Sequence, residues 1–208
     1  MQAARGTPVG PSLRRRLLFA AIALAAYAVD QVSKLLAVER LEGQPDVHVI
    51  GDVLQLHLTY NPGAAFSTGT GLTPLITAVA IGATLAVLWY SRRIGSATWA
   101  VALGLLLAGI TGNLTDRLLR DPSPLRGHVV DFLQLPNWPI FNVADICINV
   151  AAALIVIQAL RGIRLDGTRA DADTAAEVAG AEADRTDADP TDADRADRTD
   201  DVLRERSE

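Results

Sequence analysis

Between Gly109 and Asn149 the chain sets Asn113, Asp116, Arg117, Asp131, Asn142 and Asp145 into otherwise mostly apolar sequence. Polar and ionisable side chains are costly in sequence fit for a bilayer, so a cluster of them marks a functional site. Asn113, Asp116 and Arg117 stand at i, i+3, i+4, and share one face if a helix continues through them. Asn142, Asp145 and Asn149 stand at i, i+3, i+7 and share a face in the same way. Asp131 lies in HVVDFLQL, a short apolar, strand-like piece. The link from Leu114 to Ile140 is short enough to fold back and carry Asp131 toward Asp145.

Two carboxylates brought together have a definite chemistry. Like charges a few ångströms apart do not both ionise, so the pair holds one proton between them. The ionised member takes a proton from water, and the protonated member donates to a carbonyl or a leaving nitrogen. The apparent pKa values then belong to the pair. Neither a metal nor a cofactor is required. A second reading of the same residues is a structural ion-pair network at helix ends, with Asp116 and Arg117 at its centre; spacing alone leaves both open. His48, His57 and His128 lack ligand spacing. The single cysteine, Cys147, excludes an intramolecular disulfide and a cysteine-based metal site. With no histidine nearby in sequence to activate it, Cys147 reads as a small apolar filler rather than a nucleophile.

The elements that must position these groups are apolar runs at Leu17–Val38, Leu72–Tyr90, Ala97–Leu114 and Ile140–Leu160. Each has the roughly 20 residues needed to cross a hydrocarbon core of about 30 Å. Arg14-Arg15-Arg16 ahead of the first run suggests a cleaved leader, but the run is long for one and lacks a small-x-small exit before Asp30. It is expected to remain as a signal-anchor or first membrane helix. Tyr90, Trp99 and Trp138 fall near run ends, where aromatic rings favour the interface. Four crossings put Arg14–Arg16, Arg92, Arg93, Arg161 and Arg164 on one side, against Arg40, Arg117, Arg120 and Arg126 on the other. The richer side should be cytoplasmic, with both termini there and residues 39–71 and 115–139 facing outward.

Within the first run, Asp30 and Lys34 stand at i, i+4 with the acid first. They form either a self-neutralising pair or a device in which Lys34, the only lysine of the chain, holds something polar at the membrane face. After the first run, VHVI and VLQLHLTY flank Gly51-Asp52 and read as a small β segment over about 44–60. It ends in Asn61-Pro62-Gly63-Ala64-Ala65-Phe66-Ser67, which serves as a turn back to the membrane or as a substrate-clasping loop.

The mean hydropathy of +0.22 over 208 residues averages two unlike parts. Residues 166–208 hold 15 of the 24 acidic side chains and only 6 Arg, in near-repeats such as TDAD and DRTD. That stretch has too few large apolar residues to offset the entropy of ordering, and is expected to be a disordered cytoplasmic tail. Residues 1–13 read as a flexible lead. The expected architecture over 14–165 is a mainly α membrane protein: four transmembrane helices with a small extracytoplasmic β segment.

DQVSK at 30–34, NPGAAF at 61–66, GNLTDR at 112–117, VVDF at 129–132 and FNVAD at 141–145, in this order among four membrane helices, resemble the lipoprotein signal peptidase (signal peptidase II) family. The resemblance spans roughly residues 14–160, and five motifs in order make it specific. It implies an aspartic endopeptidase of the bacterial inner membrane, acting at the extracytoplasmic face. Such an enzyme removes signal peptides from prolipoproteins, cutting before a cysteine that carries diacylglycerol. It further implies Asp131 and Asp145 as the catalytic pair, with Asn113, Asp116, Arg117 and Asn142 as supporting polar residues. Asp30, Lys34, Asn61 and Gly63 match positions that shape the site or its outer loop. The implied partners are the prolipoprotein, membrane lipid and globomycin-type inhibitors; no nucleic acid, metal or cofactor is expected. The chain departs from the family in LLRDPSPLRGH, the proline-containing link ahead of VVDF, which looks longer than usual.

Two other functions fit parts of this pattern. A small transporter or proton relay using Asp30, Asp116 and Asp145 requires carboxylates spread through the bilayer depth. A membrane scaffold recruiting partners through the acidic tail requires that deleting 166–208 abolish function.

Overall fold

The computed structural model describes residues 13–63, 72–122 and 124–169. Four helices, α1 (Leu13–Leu41), α2 (Thr73–Ser91), α3 (Ala97–Leu119) and α4 (Val143–Leu160), are long and apolar enough to cross a membrane. Three strands, β1 (Val47–Ile50), β2 (Leu54–Asn61) and β3 (Val129–Gln134), form one antiparallel sheet in the order β1-β2-β3.

α3 is the central helix, packed against α1, α2 and α4. Its buried positions are mostly small: Ala100, Ala102, Gly104, Ala108, Gly109 and Gly112. Lipid tails are as apolar as leucine, so membrane helices associate where small residues let backbones approach. Gly109 lies against the Ala144 carbonyl and Ile148 of α4, and Gly112 against Asp30 of α1 and Ala144. Small residues thus bring three helices together at the level of the polar cluster.

The sequence places the end of the third span near Leu114, but α3 continues to Leu119. Its last turns carry Thr115, Asp116 and Arg117, too polar for the lipid-facing surface yet with partners inside the protein. The fourth helix, expected from Ile140, starts at Val143, because Asn142 is an extended N-cap and Phe141 bridges Leu133 of β3 instead. The expected hairpin exists as β1 and β2, and HVVDFLQL supplies the third strand beside β2, with Asn61 opposite Val129 and Thr59 opposite Asp131. On the sheet's inner face Val130 and Phe132 pack with Ala37 and Leu41 at the end of α1.

The proline-containing link is held by both helices it passes. Gly127 N–H donates to the Arg117 carbonyl at 3.0 Å, and the buried Thr77 hydroxyl of α2 donates to the Leu125 carbonyl at 3.0 Å. A Cβ on Gly127 would overlap the carbonyl oxygens of Asp116, Arg117 and Arg120 at the end of α3. Gly127→Ala is therefore expected to destabilise the fold by about 1–3 kcal/mol, an overpacking cost. Thermal unfolding in detergent checks this, and an unchanged midpoint contradicts it.

The sequence starts the acidic tail at Asp166, but Asp166–Thr168 form a turn. Asp166 accepts from the Thr168 backbone N–H and hydroxyl, and Gly95 N–H of the α2–α3 connection donates to the Leu165 carbonyl at 2.8 Å. The remainder of the expected tail, from residue 170, lies outside the described residues, as do the lead through residue 12 and Ala64-Ala65-Phe66 of the outer loop.

Candidate active site

Each polar group of the cluster is delivered by a local structural cause. Asn142 and Asp145 form a capping box at the start of α4. The Asn142 side chain accepts from Asp145 N–H at 3.1 Å, and the Asp145 carboxylate accepts from Asn142 N–H at 3.1 Å. The box satisfies two helix-end donors and fixes both side chains. Asp30 of α1 reaches the same helix end and accepts from Ala144 N–H at 2.9 Å, where a negative charge is favoured. Asp131 stands on β3, where its two oxygens accept from Asn142 at 2.6 Å and from Asn61 of β2 at 3.0 Å.

Two amides tie the carboxylates together. Asn113 donates to Asp145 at 2.9 Å and accepts from Asn142 at 3.1 Å. The same Asn142 nitrogen donates to Asp131. The orientation of both amides follows from donors that cannot reverse. The Asp145 backbone N–H requires the Asn142 oxygen to face it, so the Asn142 nitrogen points at Asp131 and Asn113. The Lys34 ammonium, which only donates, bonds the Asn113 oxygen at 2.9 Å, so the Asn113 nitrogen points at Asp145.

Lys34 is fully buried, and its three hydrogens match three acceptors: Asn113, Asp30 at 3.1 Å and Asp116 at 2.9 Å. Asp116 also accepts from Arg120 at 2.6 Å and from Val130 N–H at 3.3 Å, which fastens β3 to the end of α3. The ion-pair network at the helix ends runs through Asp30, Lys34, Asp116 and Arg120, and Arg117 turns away from its neighbour Asp116. It donates to the Gly63 carbonyl at 3.0 Å and to the Asn113 carbonyl at 3.3 Å. Its Nε is buried without a partner among the described residues. Gly63 N–H in turn donates to the Asn61 side chain at 2.9 Å. The base of the outer loop is thus closed onto the cluster, and the Thr73 hydroxyl of α2 bonds the Pro62 carbonyl from the other side.

All ten residues singled out in the sequence lie in this one network. Asp131, Asp145, Asn61, Gly63, Asn113 and Arg117 line a cavity of about 470 Å³. Asp30, Lys34, Asp116 and Asn142 lie buried behind it. The sequence reading missed Arg120, whose partnership with Asp116 at i, i+4 was available from spacing. It missed Gln31, which bonds Asp30 at 3.0 Å and the Gly112 carbonyl at 3.2 Å. It also missed the cavity's apolar wall of Trp138, Ile140, Phe141, Ile146 and Val150. Among the described residues no three His, Cys, Asp or Glu side chains converge as metal ligands.

Burial pushes the Asp131 carboxyl up to about 6. Donation from Asn61 opposes this, the nearby Asp145 charge adds to it, and Asn142 and Lys34 oppose it.

The family model described as signal peptidase (SPase) II matches residues 22–161. The chain belongs to the signal peptidase II family. Members similar to it include the lipoprotein signal peptidase of Leifsonia xyli subsp. xyli (strain CTCB07), 48% identical over 152 residues, covering 73% of this chain and 70% of that protein. The lipoprotein signal peptidase of Mycobacterium tuberculosis (strain ATCC 25618 / H37Rv) is 45% identical over 163 residues, covering 77% of this chain and 80% of that one. A solved bacterial membrane enzyme structure aligns with a TM-score of 0.62 and 27% identity, covering 73% of this chain and 96% of that one. Family membership makes the protein a multi-pass membrane peptidase and sets aside the transporter and scaffold readings.

Proposed function

We propose that this signal peptidase II family member is an aspartic endopeptidase in which Asp131 and Asp145 are the catalytic pair. Its substrate is a prolipoprotein, cut just before a diacylglyceryl-modified cysteine. The observation that carries the reading is that two carboxylates from different elements line one cavity and are joined through Asn142 and Asn113. Each carboxylate accepts two N–H donors, Asp145 from Asn113 and Asn142 N–H, and Asp131 from Asn142 and Asn61. Asp131, with its raised pKa, holds the shared proton.

The reaction follows from that assignment. Asp145 takes a proton from water as the oxygen attacks the scissile carbonyl, and Asp131 donates its proton to the carbonyl oxygen. The neutral gem-diol then collapses. Asp145 gives its proton to the leaving nitrogen, and Asp131 recovers one from a diol hydroxyl. The products are a signal peptide ending in a carboxylic acid and a lipoprotein with a free amine on cysteine, and the pair returns to its starting state. Lys34, itself held by Asp30 and Asp116, fixes the Asn113 amide from behind, while Arg117 and Asn61 hold the loop base at Gly63.

The enzyme sits in the bacterial cytoplasmic membrane with both termini inside and the pair at the outer face, as the arginine distribution favours. Lipid on the cysteine keeps the scissile bond at the bilayer surface, each buried methylene being worth about 0.8 kcal/mol. The sheet lies beside that level as a platform, and a globomycin-type cyclic peptide competes for the same cavity.

Purified protein in detergent is expected to convert a synthetic precursor into a product beginning at the lipidated cysteine, read by mass spectrometry. Equal cleavage of a precursor lacking the lipid, or cleavage elsewhere, overturns the reading. The Asn61 donor favours the ionised form of Asp131. Removing it raises the pKa further, so Asp131 stays protonated to higher pH. Asn61→Ala should therefore move the basic limb of the kcat/KM profile upward from about 6, and a downward movement contradicts the assignment.

A further inference from the structure

One polar side chain on the cavity wall has no part in the network behind the carboxylates. Asn149 lies on α4 one turn beyond Asp145, on the same helix face, and is exposed where it lines the cavity. α4 begins at Val143 and is long and apolar enough to cross the membrane, so Asn149 lies one turn deeper than Asp145. Its neighbours along that wall, Ile146 and Val150, are apolar. A polar side chain in apolar surroundings is costly unless something there bonds it.

Half of the Asn149 amide is bonded. Its nitrogen donates to the Asp145 backbone carbonyl at 2.9 Å. A carbonyl accepts only from a donor, so this bond sets the amide's orientation and turns its oxygen away from the Asp145 carbonyl. That oxygen has no hydrogen-bond partner among the described residues. The group left open on an exposed part of the cavity wall is therefore an acceptor, and it calls for a donor from whatever occupies the cavity.

Two parts of a prolipoprotein enter the bilayer beside the cut: the diacylglyceryl group on the cysteine, and the apolar signal peptide before it. The diacylglyceryl group carries ester carbonyls and a thioether, which only accept. The signal peptide carries a backbone N–H at every residue except proline, and an N–H left unbonded in apolar surroundings is costly in its turn. We propose that Asn149 holds the signal peptide, its amide oxygen accepting a backbone N–H from the second or third residue before the cleaved bond. The proposal rests on the peptidase reading above and adds a contact on the membrane side of the bond. The position follows from the two rises. The turn from Asp145 to Asn149 is roughly 6 Å of helix, which about two residues of extended chain span.

The test uses the full-length enzyme in detergent and three synthetic diacylglyceryl precursors. One is the parent peptide. In the other two, the backbone N–H of the second or of the third residue before the bond is replaced by an ester oxygen, which removes the donor with little change of shape. Unmodified enzyme should cleave one of these two analogues with about fivefold lower kcat/KM than the parent, the effect of one hydrogen bond. Asn149→Leu should show a similar loss on the parent and no further loss on that analogue, a coupling that damage to the helix does not produce. Equal cleavage of all three precursors by the unmodified enzyme, or an ester effect that persists in full in Asn149→Leu, overturns the contact while leaving the peptidase reading intact. Cleavage of none of the three by the unmodified enzyme overturns the peptidase reading itself.

Discussion

Asp131→Asn and Asp145→Asn should each reduce processing of a lipidated precursor by at least roughly 10⁴-fold while the protein still inserts and folds, the loss expected when one member of a catalytic unit is removed. Both side chains line the cavity, and each substitution preserves shape and one acceptor oxygen. On the proposed assignment the amide at 145 lacks the base, and the amide at 131 lacks the acid that protonates the carbonyl oxygen. The double variant should be no slower than either single one, since each carboxylate works only through the other. Turnover above about one per cent of the parent rate in either purified single variant removes the mechanism.

Lys34→Met carries the second large effect, and it acts on stability and rate at once. The substitution leaves Asp30 and Asp116 buried without their shared cation. Asp116 keeps Arg120, but Asp30 keeps only N–H donors from Ala144 and Gln31. Breaking a buried ion pair by deleting one partner costs about 3–5 kcal/mol, much of a typical domain's margin. Adding Asp30→Asn restores charge balance, retains an acceptor for Ala144 N–H, and should recover most of the unfolding midpoint. It should not recover full turnover, because the Asn113 oxygen has lost its charged donor and keeps only the neutral Asn142 N–H, which holds the amide less firmly toward Asp145. Recovery of both stability and rate would reduce Lys34 to a structural ion.

What the chain discloses without coordinates follows the range of the forces involved. The four spans are legible because bilayer thickness imposes a length on any apolar run. Their ends are less so: polar Asp116 and Arg117 read as the edge of the membrane, yet α3 runs past them because their partners come from other elements. Asn142 reads as part of a helical stripe by spacing, but its side chain caps α4 and its backbone is extended. The Asp30–Lys34 pairing is visible at i, i+4, whereas the bonds from Lys34 to Asn113 and Asp116 join distant stretches and have no local signature. Asp131 is recognisable through its motif. That its strand lies beside β2, with Asn61 donating to it, is a long-range pairing that spacing does not encode.

The central claim is that the two carboxylates hold one proton between them, and the pH dependence of kcat/KM in the presence of a chelator tests it most directly. The account predicts a bell whose two limbs belong to the pair, the basic one falling as Asp131 loses its proton near pH 6, with the chelator changing neither limb. A profile with a single limb, or activity that disappears with the chelator and returns with added metal, would contradict it.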